Sequence, residues 1–218
     1  MVRFMGYTYN QEIISSKIFD FTYMCAMRDA IMRGAFKGEK TWVEHITPAK
    51  DSLRKYIDKV LNNEFESQDN HNICFLETVN EVCKAINDAK PQNCVETFSF
   101  GNAQKLINMT VKYTYTFCYQ NIDLRYRFRY CHCPLDSIML NKVWKLCEKC
   151  YGGNNQRREN LGKSDEFTKS WGNEGLENGN QPNLTELPKR YTLFQKAVKD
   201  LIGQGDIFPV EFDYMEWK

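Results

Sequence analysis

Apolar residues recur at intervals of three and four along much of the chain, which is the spacing of amphipathic α-helices. Residue types that begin or end helices, such as Gly34, Thr47-Pro48 and Pro91, divide this pattern into segments. Helices are predicted over 15–34, 47–61, 73–89, 102–118, 134–147 and 191–202. The chain is therefore predicted to be an all-α protein.

The predicted helix 102–118 has the most informative pattern. Its apolar positions recur every three or four residues, which predicts a central and largely buried helix: Ala103, Leu106, Ile107, Val111, Thr114 and Cys118. Lys105 and Lys112 are seven positions apart, so on a helix they share a face with Asn108 and Met109, opposite much of the apolar stripe. Two amines on one face would attract an anionic partner.

A connector from Arg125 to Tyr130 alternates arginine with aromatic residues and leads into the next predicted helix. Its arginines could contact backbone phosphates while its aromatic rings stack on an extruded base. The same alternation is also typical of a half-buried edge strand. The helix that follows opens at Pro134-Leu135-Asp136, where the aspartate can cap backbone N–H groups and keep a fixed direction.

Between residues 152 and 188 the composition changes to Gly, Asn, Glu and Ser with few apolar residues. This stretch predicts a long polar loop or insertion within a single helical domain that spans 1–218. After the helix 191–202, the aromatic tail from Phe208 to Trp217 is expected to pack back on the body.

Composition excludes several classes of protein. The formal net charge of the 218 residues is only +1, so a polyanion would have to meet a local basic patch. No run of eighteen apolar residues occurs and the amino terminus lacks the apolar run of a signal peptide. We therefore expect a cytoplasmic monomer without a membrane segment, in which the nine cysteines are reduced thiols.

A lysine near an ordered carboxylate is the pairing required when an amine attacks an electrophilic sugar carbon and forms a Schiff base. Lys112 could act as the cationic neighbour that lowers the pKa of Lys105. The carboxylate of Asp136 would stabilise the positive charge that develops as an N-glycosidic bond breaks, or would orient a water molecule.

These segments resemble a known family. Gly101-x-Ala103-x-Lys105 entering a helix, followed by Pro134-Leu135-Asp136 opening a later one, is similar to the catalytic segments of helix-hairpin-helix DNA glycosylases. The archaeal 8-oxoguanine glycosylase branch has a similar interval between a Gln-Lys helix and a Pro-x-Asp turn. The resemblance covers about fifty residues.

The resemblance implies a compact all-helical fold of two lobes, a flipped nucleotide in the cleft between them, and cleavage of the glycosidic bond with or without strand nicking by β-elimination. Lys105 would be the nucleophile and Asp136 the activating carboxylate, with no cofactor or metal. The predicted contacts to DNA come from Gln104, Asn108, Lys112, Arg125, Arg127, Arg129 and His132. Phage-defence glycosylases that remove modified bases are one context for such a protein.

The charge of the neighbourhood agrees with a DNA partner. Between Gly101 and Cys150 the sequence has eight Lys or Arg residues and three acidic ones, a local excess of five positive charges. A segment of this kind is predicted to face phosphates.

Other interpretations remain open. Lys105 and Lys112 fit the solvated face of a helix, and Asp136 fits a plain helix cap, so the chain could be a non-catalytic helical protein that binds nucleic acid or a partner. Cysteines near His132 could instead form a structural zinc site: Cys131, Cys133, Cys147 and Cys150. His45 and His71 are predicted to be surface or structural residues.

Overall fold

The computed structural model describes residues 11–32, 46–92, 97–151, 161, 184–203 and 206–216, and all regular structure within these ranges is helical. This confirms the predicted all-α fold. None of the described helices is long and apolar enough to cross a lipid bilayer. Within these ranges the α-helices with given bounds are α1 (Gln11–Met27), α2 (Thr47–Leu61), α3 (Gln68–Asp88), α4 (Phe100–Cys118), α5 (Ile122–Tyr126), α6 (Ser137–Tyr151), α7 (Lys189–Ile202) and α8 (Pro209–Glu216).

Helix α4 lies at the centre of the described structure and contacts α1, α3, α5 and α8. Its apolar stripe is buried as predicted, with Ala103, Leu106, Ile107 and Val111 inaccessible to solvent. The opposite face is also largely covered, because α8 packs against α4 there. A helix enclosed in this way must provide partners for its polar side chains from within the protein.

Helix α2 starts at the predicted residue, whereas α3 starts earlier than predicted. Thr47 is the first residue of α2, and Ile46 occupies the cap position without a side-chain hydrogen bond. Helix α3 begins at Gln68, five residues before the predicted start, because Ser67 caps it by accepting a hydrogen bond from the backbone N–H of Asn70 at 3.1 Å. Because the first turn of α3 is polar, the spacing of apolar residues did not indicate this start.

Two other elements follow the predicted course as far as the structure describes them. A π-helical turn, Arg28–Met32, continues α1, while Gly34 lies outside the described residues. The aromatic tail forms α8, whose buried residues Val210 and Phe212 pack it against α4 and α7, as expected. Of the predicted loop 152–188, only 161 and 184–188 are described.

Side-chain amides on α3 hold two irregular segments. The Nδ2 atom of Asn87 donates to the carbonyl of Phe98 at 2.9 Å, and its Oδ1 accepts from the N–H of Phe98 at 2.8 Å. Asn80 binds the backbone of Leu184 in the same two-bond arrangement, at 2.9 and 3.1 Å. Each amide replaces the backbone partner that a helix would have supplied. We call such a two-bond contact an amide clasp.

The clasp at Asn87 fixes the residues immediately before α4, so we predict that Asn87→Ala lowers the free energy of unfolding. Two lost hydrogen bonds at about 1 kcal/mol each give an expected loss of about 2 kcal/mol. Urea unfolding followed by circular dichroism measures it. Asn141→Ala is the control, because among the described residues its amide donates to the Ser137 carbonyl in its own helix; equal losses in both variants would contradict the role of the clasp.

Candidate functional site

Asp136 stands at the start of α6 and is held by the helix that it caps. Its Oδ1 accepts hydrogen bonds from the backbone N–H groups of Ile138 at 3.0 Å and Met139 at 2.9 Å. This confirms the predicted cap. Because Oδ1 is engaged by the helix, the second oxygen of the carboxylate points in a defined direction.

That second oxygen faces Lys105. The Nζ atom of Lys105, in the second turn of α4, lies 3.2 Å from Oδ2 of Asp136. The Lys105 and Asp136 side chains are 24% and 31% exposed, so both are partly accessible from solvent. The structure therefore brings the two predicted catalytic side chains together at one point of the surface.

The connector before Asp136 is irregular and buried, and two amides from neighbouring helices hold its backbone. Gln195 of α7 forms a clasp with Cys133, accepting from its N–H at 3.0 Å and donating to its carbonyl at 2.8 Å. Gln104 of α4 donates to the carbonyl of Leu135 at 2.6 Å. Asp136 therefore follows a backbone segment that is fixed from two sides.

A second ion pair lies beside the first and is almost completely buried. Lys112 pairs with Asp213 of α8, and the side chains are only 7% and 6% exposed. Burial raises the pKa of Asp213, while Lys112 opposes this shift; the charges of Asp136 and Lys105 also act on Asp213. The four groups form one cluster of two ammonium and two carboxylate groups.

The sequence did not indicate Asp213 as a site residue. It belongs to an aromatic tail that is remote in sequence from Lys112, and apolar spacing does not predict such pairs. The one available signal was a carboxylate between two aromatic residues of that tail, Phe212 and Tyr214. Lys112 itself, predicted on the polar face of α4, is buried because α8 covers it.

Helix α8 also supplies acids to other cations of the predicted basic segment. The Nε atom of Arg125 lies 2.7 Å from Glu211, and Lys142 lies 3.4 Å from Glu216. Together with Asp213, these carboxylates offset three of the positive charges counted between Gly101 and Cys150. The local positive excess is therefore smaller in the fold than along the sequence.

Arg127 and Arg129 bind the segment between α2 and α3. Arg127 donates to the carbonyl of Leu61, and Arg129 donates to Oδ1 of Asn63 at 2.7 Å and to the carbonyl of Phe65 at 3.2 Å. These guanidinium groups thus stabilise the packing of the chain. Their predicted contact with phosphates stays a prediction.

The connector that carries these arginines is not an edge strand. Residues Ile122–Tyr126 form the short helix α5, and turns follow as far as Tyr130. The alternation of arginine and aromatic residues therefore does not reflect a pleated strand. The edge-strand interpretation is wrong.

His132 lies in the interior. Its Nδ1 is 2.9 Å from the hydroxyl of Tyr191 and its Nε2 is 3.0 Å from Oδ1 of Asn72, and burial lowers its pKa well below the usual value. His71 packs against His132 and is buried, which agrees with the prediction of a structural residue and not with that of a surface residue. Burial lowers the pKa of His71 to about 3. His45 lies outside the described residues.

Gln104 and Asn108 are also completely buried. The Nδ2 atom of Asn108 donates to Oε1 of Gln104 at 3.2 Å and to the hydroxyl of Tyr191 at 3.0 Å. In the part of the chain that is described, Oδ1 of Asn108 has no hydrogen-bond partner. A substrate could reach these side chains, or His132, only after the packing around them had changed.

The cysteines proposed as zinc ligands do not form a metal site among the described residues. Cys131, Cys133 and Cys147 are buried thiols that form no disulfide among the described residues, and burial raises the pKa of the Cys133 thiol well above its usual value. Within the described ranges no three metal-binding side chains converge. The side chain of Cys150 lies outside those ranges.

A cavity of about 440 Å³ lies near the carboxyl end of α4, and sequence reasoning did not indicate it. Neither Lys105 nor Asp136 lines it. Its walls are mostly aromatic and apolar, and the lining residues are Tyr115, Thr116, Tyr119, Arg125, Ile207, Glu211, Tyr214 and Met215.

Comparison with known proteins gave no relative. The chain matches no family model, no curated protein and no solved structure.

The two buried histidines predict how stability depends on pH. Because the folded-state pKa of His71 is about 3 and its ordinary value is 6.5, the unfolded chain binds a proton between these values that the folded protein excludes. His132 shifts in the same direction. Stability should therefore fall as pH decreases below about 6.5, by up to about 1.4 kcal/mol per pH unit for each histidine.

Urea unfolding between pH 7.5 and 5.5 tests this dependence. In His132→Asn one titrating group is gone, so the slope below pH 6.5 should be about half that of the unmodified protein. A slope that is unchanged in this variant would contradict the assignment of the pH dependence to the histidine pair.

The buried ion pair predicts a large effect of a single substitution. Lys112→Met leaves the carboxylate of Asp213 buried without its ammonium partner, which should cost about 3–5 kcal/mol of unfolding free energy. Lys84→Met is the matched control: its pair with Asp88 at 2.5 Å is exposed, with side chains 70% and 52% accessible. The control should change by less than about 0.5 kcal/mol; comparable losses would show that burial of the pair is unimportant.

Proposed function

We propose that this protein is a DNA glycosylase that flips a damaged or modified base out of the duplex and releases it, with Lys105 as nucleophile and Asp136 as its carboxylate partner. The supporting observation is the 3.2 Å approach of Lys105 Nζ to Asp136 Oδ2. Nucleophilic attack on a sugar carbon requires an amine with a carboxylate nearby. This pair provides both groups, and both are partly open to solvent.

The proposed reaction begins with transfer of a proton from the Lys105 ammonium to Asp136. The free amine attacks C1′ of the flipped nucleotide, the N-glycosidic bond breaks, and the base leaves with the bonding electrons and takes up a proton. Opening of the sugar ring gives a Schiff base between Nζ and C1′. Water hydrolyses it to an abasic site, or loss of a proton from C2′ breaks the strand by β-elimination.

The second ion pair gives this chemistry a fixed electrostatic background. Lys112 and Asp213 are buried beside the reacting pair and contribute opposite charges, so the cluster of four groups has no net charge. Fixed charges that do not have to reorganise during a reaction stabilise its transition state more effectively than mobile ones. Lys112 would contribute to the site as one member of this fixed pair, with its charge offset by Asp213.

The proposal extends to the environment of the protein. It includes a two-lobed arrangement with the DNA between the lobes, a monomer in the cytoplasm, and a context such as defence against phage with modified bases. The partly exposed position of Lys105 and Asp136 supports access for a nucleotide. The pairing of α8 carboxylates with Lys112, Arg125 and Lys142 means that fewer cations are free to bind phosphates.

Base release and covalent trapping test the proposal. The protein is incubated with duplexes that contain 8-oxoguanine, hydroxymethylcytosine or glucosylated hydroxymethylcytosine, and abasic sites are revealed by alkali. With borohydride present, reduction of the Schiff base should give a covalent adduct. Lys105→Gln should lose the adduct, and Asp136→Asn should lower base release about 100-fold or more.

The controls separate chemistry from folding. An asparagine at 136 keeps an oxygen that can cap α6, so Asp136→Asn should remain folded. Lys50→Gln is matched to Lys105→Gln, because Lys50 is 32% exposed and pairs with Asp20 at 2.9 Å elsewhere; it should retain both activity and adduct. Absence of base release from every duplex by the unmodified protein would overturn the proposal.

A second candidate function is a non-catalytic helical protein that binds a partner. The observation in its favour is a group of large apolar side chains that remain exposed near the carboxyl end of α4: Phe117 at 53%, Tyr119 at 51% and Ile122 at 80%. Exposed apolar groups of this kind often mark interaction surfaces. In that case Lys105 and Asp136 form only an ion pair that joins α4 to α6.

A further inference from the structure

The candidate pair depends on residues that lie one position before each of its members. Gln104 directly precedes Lys105, and Leu135 directly precedes Asp136. The Nε2 atom of Gln104 donates to the carbonyl of Leu135 at 2.6 Å and to the carbonyl of Gly101 at 3.1 Å. One buried amide therefore joins the two backbone segments that carry the reacting groups.

The other end of this amide is also held. Oε1 of Gln104 accepts from Nδ2 of Asn108, which also donates to the hydroxyl of Tyr191. That hydroxyl also lies 2.9 Å from Nδ1 of His132. Gln104, Asn108 and Tyr191 are inaccessible to solvent and His132 is 3% exposed.

His132 connects this chain of hydrogen bonds to α3. Burial lowers the pKa of His132, so its imidazole is neutral. Its Nε2 lies 3.0 Å from Oδ1 of Asn72 and 3.3 Å from Nε2 of Gln68, both on α3. Buried polar side chains that are joined in this way hold one another in place, which is the property that a rigid support needs.

A support of this kind is necessary because the ion pair cannot position itself. Lys105 and Asp136 are both partly exposed, and an ion pair in contact with solvent contributes only about 0.2–1 kcal/mol toward holding a long, flexible lysine in one place. Their relative position must therefore come from the backbone segments on which they stand.

We propose that Gln104 is a positioning residue that sets Asp136 opposite Lys105, and that Asn108, Tyr191 and His132 keep Gln104 in place. This inference rests on the proposed function in treating Lys105 and Asp136 as the reacting pair. It gives Gln104, Asn108 and His132 a role in the site without direct contact with the nucleotide.

Gln104→Met tests the proposal, because methionine retains the length of glutamine and lacks the amide. The readout is the rate at which Lys105 in the full chain is methylated by formaldehyde and cyanoborohydride, measured by mass spectrometry relative to exposed Lys84. Loss of the ion pair should raise the Lys105 rate about 1.4- to five-fold, the range that corresponds to an exposed pair. An unchanged rate in the folded variant overturns the proposal.

The matched control is Asn80→Leu, which removes an amide clasp on Leu184, a segment away from the pair. It should lower stability and leave the Lys105 rate unchanged; a rise equal to that of Gln104→Met would show a general loosening and overturn the proposal. If Gln104→Met does not fold, Tyr191→Phe removes only one hydroxyl from the network. It should change the Lys105 rate in the same direction to a smaller extent, and no change there also overturns the proposal.

Activity provides an independent readout on the duplex that is cleaved. Mispositioning of Asp136 should lower kcat about 10- to 100-fold in Gln104→Met with KM nearly unchanged. A lower affinity at constant kcat would overturn the positioning role. If the unmodified protein releases no base, the glycosylase proposal fails, whereas the methylation of Lys105 still decides whether Gln104 positions the pair.

Discussion

Every backbone N–H and C=O group that folding removes from water needs a hydrogen-bond partner, and this requirement governs the segments of the protein that are not helical. In a fold without described strands, the buried connectors have no sheet to pair with. Side-chain amides take that place: Asn80, Asn87 and Gln195 form clasps, and Gln104 binds the carbonyl of Leu135. The positions of α4 and α6, and therefore of the candidate site, follow from these contacts.

Much of the helical fold could be predicted from sequence, because apolar spacing directly reports which face of a helix is buried. The spacing located α4 as a buried central helix and α6 as a helix opened by Asp136. It failed at the start of α3, where a polar first turn is held by the cap at Ser67. Local hydrogen bonds, which leave no periodic signal, decide such boundaries.

The candidate site was predictable in part for a related reason. Lys105 and Asp136 lie in segments with recognisable local patterns, and the structure places them 3.2 Å apart. Burial of Gln104, Asn108, Lys112 and His132 was not foreseen, since it results from the packing of α7 and α8, which come much later in the chain. A count of charges along the sequence likewise could not include carboxylates that arrive from α8.

The pair formed by Lys112 and Asp213 spans 101 positions of the chain. During synthesis on a ribosome, α4 emerges long before α8, so its ammonium group must remain in water until Asp213 becomes available. The central helix therefore cannot reach its final enclosed environment early in translation. Completion of the interior is thus coupled to a late stage of chain growth, and a product truncated before Asp213 would keep one face of its central helix hydrated.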